Sequence, residues 1–533
     1  MRRGTSPRVV IIGLDGADWS ALRVLFADGA MPTLEALVTS GVSAPLESVY
    51  PTNSMSAWTS LMTAVNPGKH GVFGFVRNTG TPFQTSVTNS SDVRFPTIWE
   101  TLARGRLRAC VIDMPPLFPP LHVDGVTMLG GLGSALALSR GSGLAYPPEA
   151  EAAVQEAGGF VRDAGWADYG GRRTEFVAHL NVLIENRVRI AEALLEKYEN
   201  DLFCVVFVAP DRLQHAFWPD LIEQGPDYAL ARKLYVTLDE ALARLLDRLD
   251  PSATDILVVS DHGFRRFSRG FDVNQFLVEA GLMRWKPVNP RTAVMQRVMR
   301  LVPPLSAVAK KALAGRSDTP LARLLGPSPR RLLPGSVAYS DVVECVNLNL
   351  SGRESTGRVV QSEYEEVRDM VAAKLSGFRD WATGERPLKR VIKREECMHG
   401  RFLGEAPDLI LEFGNGYAYS GGRSEVLWDS EGWVNGVHAL TGVIACRGPH
   451  FRRGVEASTV SILDVAPTAL SLLGVAPPAD VDGRIAEELL AGPVPPERRP
   501  APGPQQPREE PKAYSEEEEA RIKERLRGLG YLE

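Results

Sequence analysis

In six short runs of the chain apolar residues stand side by side instead of alternating with polar ones: Val9–Leu14, Ala109–Ile112, Phe203–Ala209, Ile256–Ser260, Leu409–Glu412 and Gly442–Cys446. These runs are rich in β-branched residues, and helical patterns and Gly/Pro punctuation separate them. A strand that is apolar on both faces needs cover on both faces, and alternation with helices supplies the crossovers that parallel strands require. The pattern predicts an α/β fold, a three-layer α/β/α sandwich around a mostly parallel central sheet, with insertions. In such sheets the chemistry collects at the carboxyl ends of the strands. Here Val9–Leu14 runs into Asp15, Phe203–Ala209 into Pro210 and Asp211, and Ile256–Ser260 into Asp261 and His262.

Two stretches depart from this rhythm. Residues 284–331 hold eleven Lys/Arg and one acid, Asp318, with Val294, Val298, Leu301 and Val302 at near-helical spacing. They read as an insertion outside the sheet core, and the strand-like Val342–Leu350 belongs to the same insertion or to a sheet edge. The segment Pro493–Pro511 is dense in Pro and charge, which makes it a semi-extended linker. After it, Ser515-Glu516-Glu517-Glu518 forms a capping-box pattern ahead of an Ile522, Leu526, Leu529 stripe. The expected organisation is a catalytic domain over residues 1–488 with an insertion or cap over 284–400, a linker over 489–512 and a terminal helix over 513–533. That helix is expected to dock on the body or on a partner.

Composition narrows the setting. A formal charge of −5 over 533 residues gives no support to nucleic-acid binding by the whole chain. No apolar run approaches the roughly 18–20 residues of a membrane span. Arg2 and Arg3 precede an apolar stretch of only six residues, Val9–Leu14, which is too short for a secretion signal. The expected location is the cytoplasm. Five scattered cysteines without a C-x-x-C pair suggest buried thiols rather than a disulfide framework.

Three segments carry candidate chemistry. Asp211 and His215, four residues apart, share one face of a helical turn and could ligate one ion. Asp261, His262 and Gly263 put two ligand types on a tight turn after a buried strand. Ser54 stands where Pro51-Thr52-Asn53 passes into a helix with a Trp58, Leu61, Met62, Val65 stripe, facing the positive end of the helix dipole. Each piece alone also reads as ordinary turn or cap chemistry. Together they supply what a serine nucleophile needs at phosphorus: one metal to generate the alkoxide and a second, roughly 3.5–4 Å away, to brace the leaving oxygen.

The order of these motifs resembles that of the alkaline phosphatase superfamily, and within it the type I phosphodiesterase/nucleotide pyrophosphatase branch. The matching segments are Gly13–Gly16 (GLDG), Pro51–Gly71, Asp211 with His215, Ser260–Gly263 (SDHG), His438 in GVHALTG, and Ser461–Val475 with Asp482-Gly483. The resemblance implies one metal held by Asp15, Ser54, Asp261 and His262, and another by Asp211, His215 and His438. It implies zinc as the usual ion, with manganese also compatible with this donor set. The implied reaction is hydrolysis of a small phosphorylated substrate at a diester or anhydride bond. Ser54 attacks in line to give a phosphoserine, which water then displaces with net retention.

Two positions depart from the nucleotide pyrophosphatase pattern: Phe75 replaces an Asn that contacts phosphate, and Met55 replaces a base-stacking aromatic. Lys69 and His70 are further candidates for substrate contact, or a helix end closing at Gly71. The alternatives are phosphomonoester or phosphonate hydrolysis, or an envelope-associated phosphotransferase whose basic insertion lies on a membrane surface.

Overall fold

The computed structural model describes residues 6–131, 143–287, 330–420, 428–429, 435–493 and 514–529. The basic stretch around Arg291–Lys311 and nearly all of the Pro-rich linker lie outside the described residues. Five of the six continuous apolar runs become the central sheet: Val9–Leu14 is buried at every position and pairs in parallel with Leu202–Phe207 on one side and Asp255–Val259 on the other. Ala109–Met114 and Val126–Gly130 continue the parallel order beyond Leu202–Phe207. On the other side Thr441–Arg447 pairs antiparallel with both Asp255–Val259 and Val42–Glu47. The result is a ten-stranded, mostly parallel sheet inside an α/β/α sandwich.

The helices show why they cover it. Arg173–Lys197 buries Phe176, Val177, Leu180, Leu183, Ile184, Val188, Ala191 and Leu194, a stripe at helical period. Tyr228–Leu246 buries a similar stripe beside it. Ala209–Glu223 starts two residues after its strand ends, so Asp211 falls in the first turn of a helix rather than on the strand.

A second hydrophobic cluster, separate from the main core, gathers Phe271, Phe276, Tyr339, Leu348, Val371, Leu388, Leu411 and Tyr417. Its four-stranded sheet contains Leu409–Phe413, which therefore does not join the central sheet. Apolar periodicity identifies a buried strand but not the sheet it enters.

The terminal helix, Glu516–Leu529, docks on the body. Ser515 N–H donates to Glu518 Oε2 at 2.8 Å, closing the expected capping box. Ile522 and Leu526 enter the main core, and Tyr514 stacks on Phe118. Among the described residues no helix is long and apolar enough to cross a membrane.

Candidate two-metal active site

Three acids and three imidazoles reach one edge of the sheet from separate segments. Asp15 follows the strand Val9–Leu14. The next residue, Gly16, has φ +69°, and a Cβ there would lie 2.6 Å from a Phe264 ring carbon. Both the backbone conformation and the close approach demand glycine. Its N–H donates to Asp261 Oδ1 at 3.1 Å, which joins the first strand to the Asp255–Val259 strand end.

Ser54 opens the helix Ser54–Thr63. Asn53, the residue before it, takes the capping role by accepting from Ser56 N–H at 3.1 Å. The Ser54 hydroxyl is thus not used for capping. Its Oγ donates to Asp15 Oδ1 at 3.4 Å and lies 3.2 Å from His262 Nε2. The helix start leaves backbone N–H groups and a partial positive charge at this spot.

Two groups of donors form. In one, Asp15, Asp261 and His262 bring their oxygen and nitrogen atoms within 4.8 Å of one another, with His262 Nε2 3.3 Å from Asp261 Oδ2. In the other, Asp211 Oδ1 lies 3.4 Å from His215 Nε2 and 3.2 Å from His438 Nε2. The groups adjoin, for the His262 and His438 rings stack at 3.6 Å between centroids. His438 reaches the site on the short strand Gly436–Ala439, where it pairs with Phe264. Asn435 straps that strand to the His215 carbonyl at 2.8 Å.

The imidazoles share a telling orientation. Each points Nδ1 at a backbone carbonyl: His215 at Gly436 (2.9 Å), His262 at Gly263 (3.1 Å) and His438 at Thr52 (3.2 Å). A carbonyl can only accept, so Nδ1 carries a proton and Nε2 is the ring nitrogen turned inward. This is how metal-ligating histidines are usually held.

Charge makes the same demand. Asp15, Asp211 and Asp261 are all buried. Burial, with repulsion from Asp261 and Asp211, holds the Asp15 carboxyl well above the usual range. Burial raises Asp261 to about 7. For Asp211 burial works upward too, but His215 beside it and the Arg212 guanidinium outweigh it and hold the group low. Burial also lowers His262 and His438 to about 4, which keeps them neutral. Among the described residues no group donates a hydrogen bond to Asp261 Oδ2. Three crowded carboxylates and three inward-facing Nε2 atoms fit two divalent cations, and neither group has the sulfur donors of a softer site.

The four other sequence candidates sit differently. Met55 and Phe75 are buried in the main core. Lys69 Nζ is ion-paired with Asp482 and donates to the Asp480 carbonyl at 2.8 Å. His70 is buried between Ser60 Oγ and the Val72 N–H. Sequence reasoning missed Trp58 Nε1, which donates to Asp15 Oδ2 at 3.3 Å, and Phe264, whose ring contacts all three histidines. It also missed Arg212, which binds both Asp211 and Asp163. Asp163 and Arg212 are 49 residues apart, so no local spacing signals the pair.

The model of the family "type I phosphodiesterase / nucleotide pyrophosphatase" matches residues 9–440. No curated protein matches the chain by sequence. Among solved structures, human ectonucleotide pyrophosphatase/phosphodiesterase 5 is similar with a TM-score of 0.53 at 15% identity, covering 91% of this chain and 100% of that one. An inactive form of its murine counterpart, in complex with AMP, gives a TM-score of 0.53 at 14% identity over the same shares. Phosphonoacetate hydrolase from Sinorhizobium meliloti 1021, in complex with phosphonoacetate, gives 0.55 at 16% identity, covering 88% of this chain and 97% of that one.

Proposed function

Because the chain belongs to the type I phosphodiesterase/nucleotide pyrophosphatase family and is accordingly a phosphoric ester hydrolase, we propose that it cleaves phosphodiester or phosphoanhydride bonds with Ser54 as nucleophile. Asp15, Asp261, His262 and Ser54 would hold one divalent cation, and Asp211, His215 and His438 the other. Zinc suits this nitrogen–oxygen set, and manganese is compatible with it. The observation that carries the reading is the placement of Ser54 Oγ, 3.2 Å from His262 Nε2 and 3.4 Å from Asp15 Oδ1, at a helix start beside both donor groups.

When bound, such ions lower the pKa of a coordinated hydroxyl and stabilise charge on phosphoryl oxygens. The chain's own groups do the rest. Asp15 takes the hydrogen bond of the Ser54 hydroxyl and sets the direction of attack. The helix start at Ser54 favours negative charge where the phosphoryl group arrives. Attack in line on phosphorus breaks the bond to the leaving oxygen and leaves a phosphoserine. Water then displaces the serine with a second inversion, so configuration at phosphorus is retained overall.

Arg212 bears on the preference for diesters. Its guanidinium is held by Asp211 and Asp163 rather than presented to a substrate dianion. A singly charged diester phosphorus suits that arrangement better than a doubly charged monoester. With Phe75 and Met55 in the core, an amide contact to phosphate and a base-stacking ring at these positions are replaced by packing, which favours a small diester over a nucleotide.

The test is a substrate panel on enzyme loaded with zinc or manganese: diesters, monoesters, nucleotides and phosphonates. The proposal expects the highest kcat/KM on diesters and none after chelation. Diester rates far below those on monoesters or phosphonates would overturn it.

A further inference from the structure

Asp211 is the end of a string of buried and half-buried charges. Its Oδ2 binds Arg212 Nη1, which leaves Oδ1 to face His215 and His438. Arg212 is only 6% exposed, and its other edge grips Asp163 Oδ2 through Nε at 3.0 Å and Nη2 at 2.9 Å. Asp163 sits on the loop between the helix Glu149–Glu156 and the turn Trp166–Tyr169. The long helix pins that loop. Arg187 Nη2 donates to the Val161 carbonyl at 2.9 Å, and Asn186 bonds Val161 N–H at 2.9 Å and the Gly159 carbonyl at 2.8 Å. Arg187 in turn donates from Nε to Asp113 Oδ2 at 2.5 Å, at the carboxyl end of Ala109–Met114.

Such an arrangement is a poor way to gain stability. Burying a guanidinium is costly, and its ion pairs offset that cost at best. It is a good way to fix geometry. The planar fork of arginine can hold one carboxylate on each edge, which a lysine ammonium cannot do in the same fixed plane. A carboxylate gripped at one oxygen cannot rotate, and its other oxygen stays aimed at the imidazole pair.

We propose that Arg212 and Asp163 are positioning residues for the cation at Asp211, His215 and His438: they lock the Asp211 carboxylate in its binding orientation. This rests on the two-metal reading above. Simple electrostatics predicts the opposite, since removing a positive charge beside a cation site should tighten it. Partners behind a metal ligand are typically worth roughly 10–100-fold in metal affinity.

The experiment is calorimetric titration of Zn2+ into the metal-free full-length chain, wild type against Arg212→Met, Arg212→Lys and Asp163→Asn. Wild type should bind two ions. Arg212→Met and Arg212→Lys should weaken one site roughly 10–100-fold and leave the Asp15/Asp261/His262 site unchanged. The lysine variant keeps the charge and loses only the fork, so it separates geometry from charge. Asp163→Asn, which still offers one acceptor, should show a smaller loss at the same site and serves if the Arg212 variants do not fold. Unchanged affinities, a tightened site, or equal weakening of both sites would overturn the proposal. Fewer than two ions bound by wild type would instead overturn the two-metal reading beneath it.

Discussion

Acidification from pH 7.5 to 5.0 should weaken the fold through His70. The imidazole is fully buried; its Nδ1 accepts the Val72 N–H at 3.1 Å, and its Nε2 meets Ser60 Oγ at 2.9 Å. A second proton would break the first bond and place a charge where water cannot reach. Burial, assisted by the nearby Arg94 charge, brings the pKa from 6.5 down to about 3. Above pH 6.5 neither the folded nor the unfolded state holds the extra proton, and the stability is fully present. Between 6.5 and about 3 only the unfolded state binds it, so stability falls as the pH drops. Those two pKa values give a loss of about 2 kcal/mol at pH 5 and about 3 kcal/mol at pH 4.

Urea unfolding of wild type and His70→Gln at both pH values isolates the effect, because other titrating groups cancel in the comparison. A glutamine amide can donate to Ser60 and accept from Val72. The variant should start less stable and then lose about 2 kcal/mol less on moving to pH 5. Equal acid losses in the two proteins would refute the reasoning. KM at pH 7.5 should be unchanged in the variant, since both ring nitrogens are occupied by the fold; a raised KM would make His70 a substrate contact instead.

Dialysis against a chelator should abolish hydrolysis and lower the melting temperature. At ion concentrations of a hundred times Kd each site adds about 2.7 kcal/mol, so zinc or manganese should restore both readouts. Gly16→Ala would force its Cβ against the Phe264 ring that packs on His215, His262 and His438. Kinetics on the purified variant should show kcat/KM down on the order of a hundredfold. Leu526, 1% exposed in the terminal helix, should cost about 2–4 kcal/mol when cut to Ala, read as a lowered melting temperature.

The sheet and the site were legible to different depths. Val9–Leu14 and Asp255–Val259 announce themselves because a strand buried on both faces has no room for polar residues. Val42–Glu47, which carries Ser43 and Pro45, lacks such a run and joins the central sheet through its pairing with Thr441–Arg447. Leu409–Phe413 shows the converse, a clear strand that enters the smaller sheet. Asp211 with His215 and Asp261 with His262 are local pairs that spacing can find. His438 depends on an antiparallel partner at Phe264, far earlier in the chain, and only the order of motifs pointed to it. The string from Asp113 to Arg212 was invisible for the same reason. Its members lie on different elements, and nothing in the spacing of an Arg reveals the carboxylate it will meet.

The most direct measurement is turnover of bis-p-nitrophenyl phosphate by metal-loaded Ser54→Ala beside wild type, with melting temperature and metal content checked in both. If the Ser54 hydroxyl is the group that attacks phosphorus, the variant should keep its fold and lose kcat by roughly a thousandfold or more. A variant that hydrolyses the diester as fast as wild type would contradict the account.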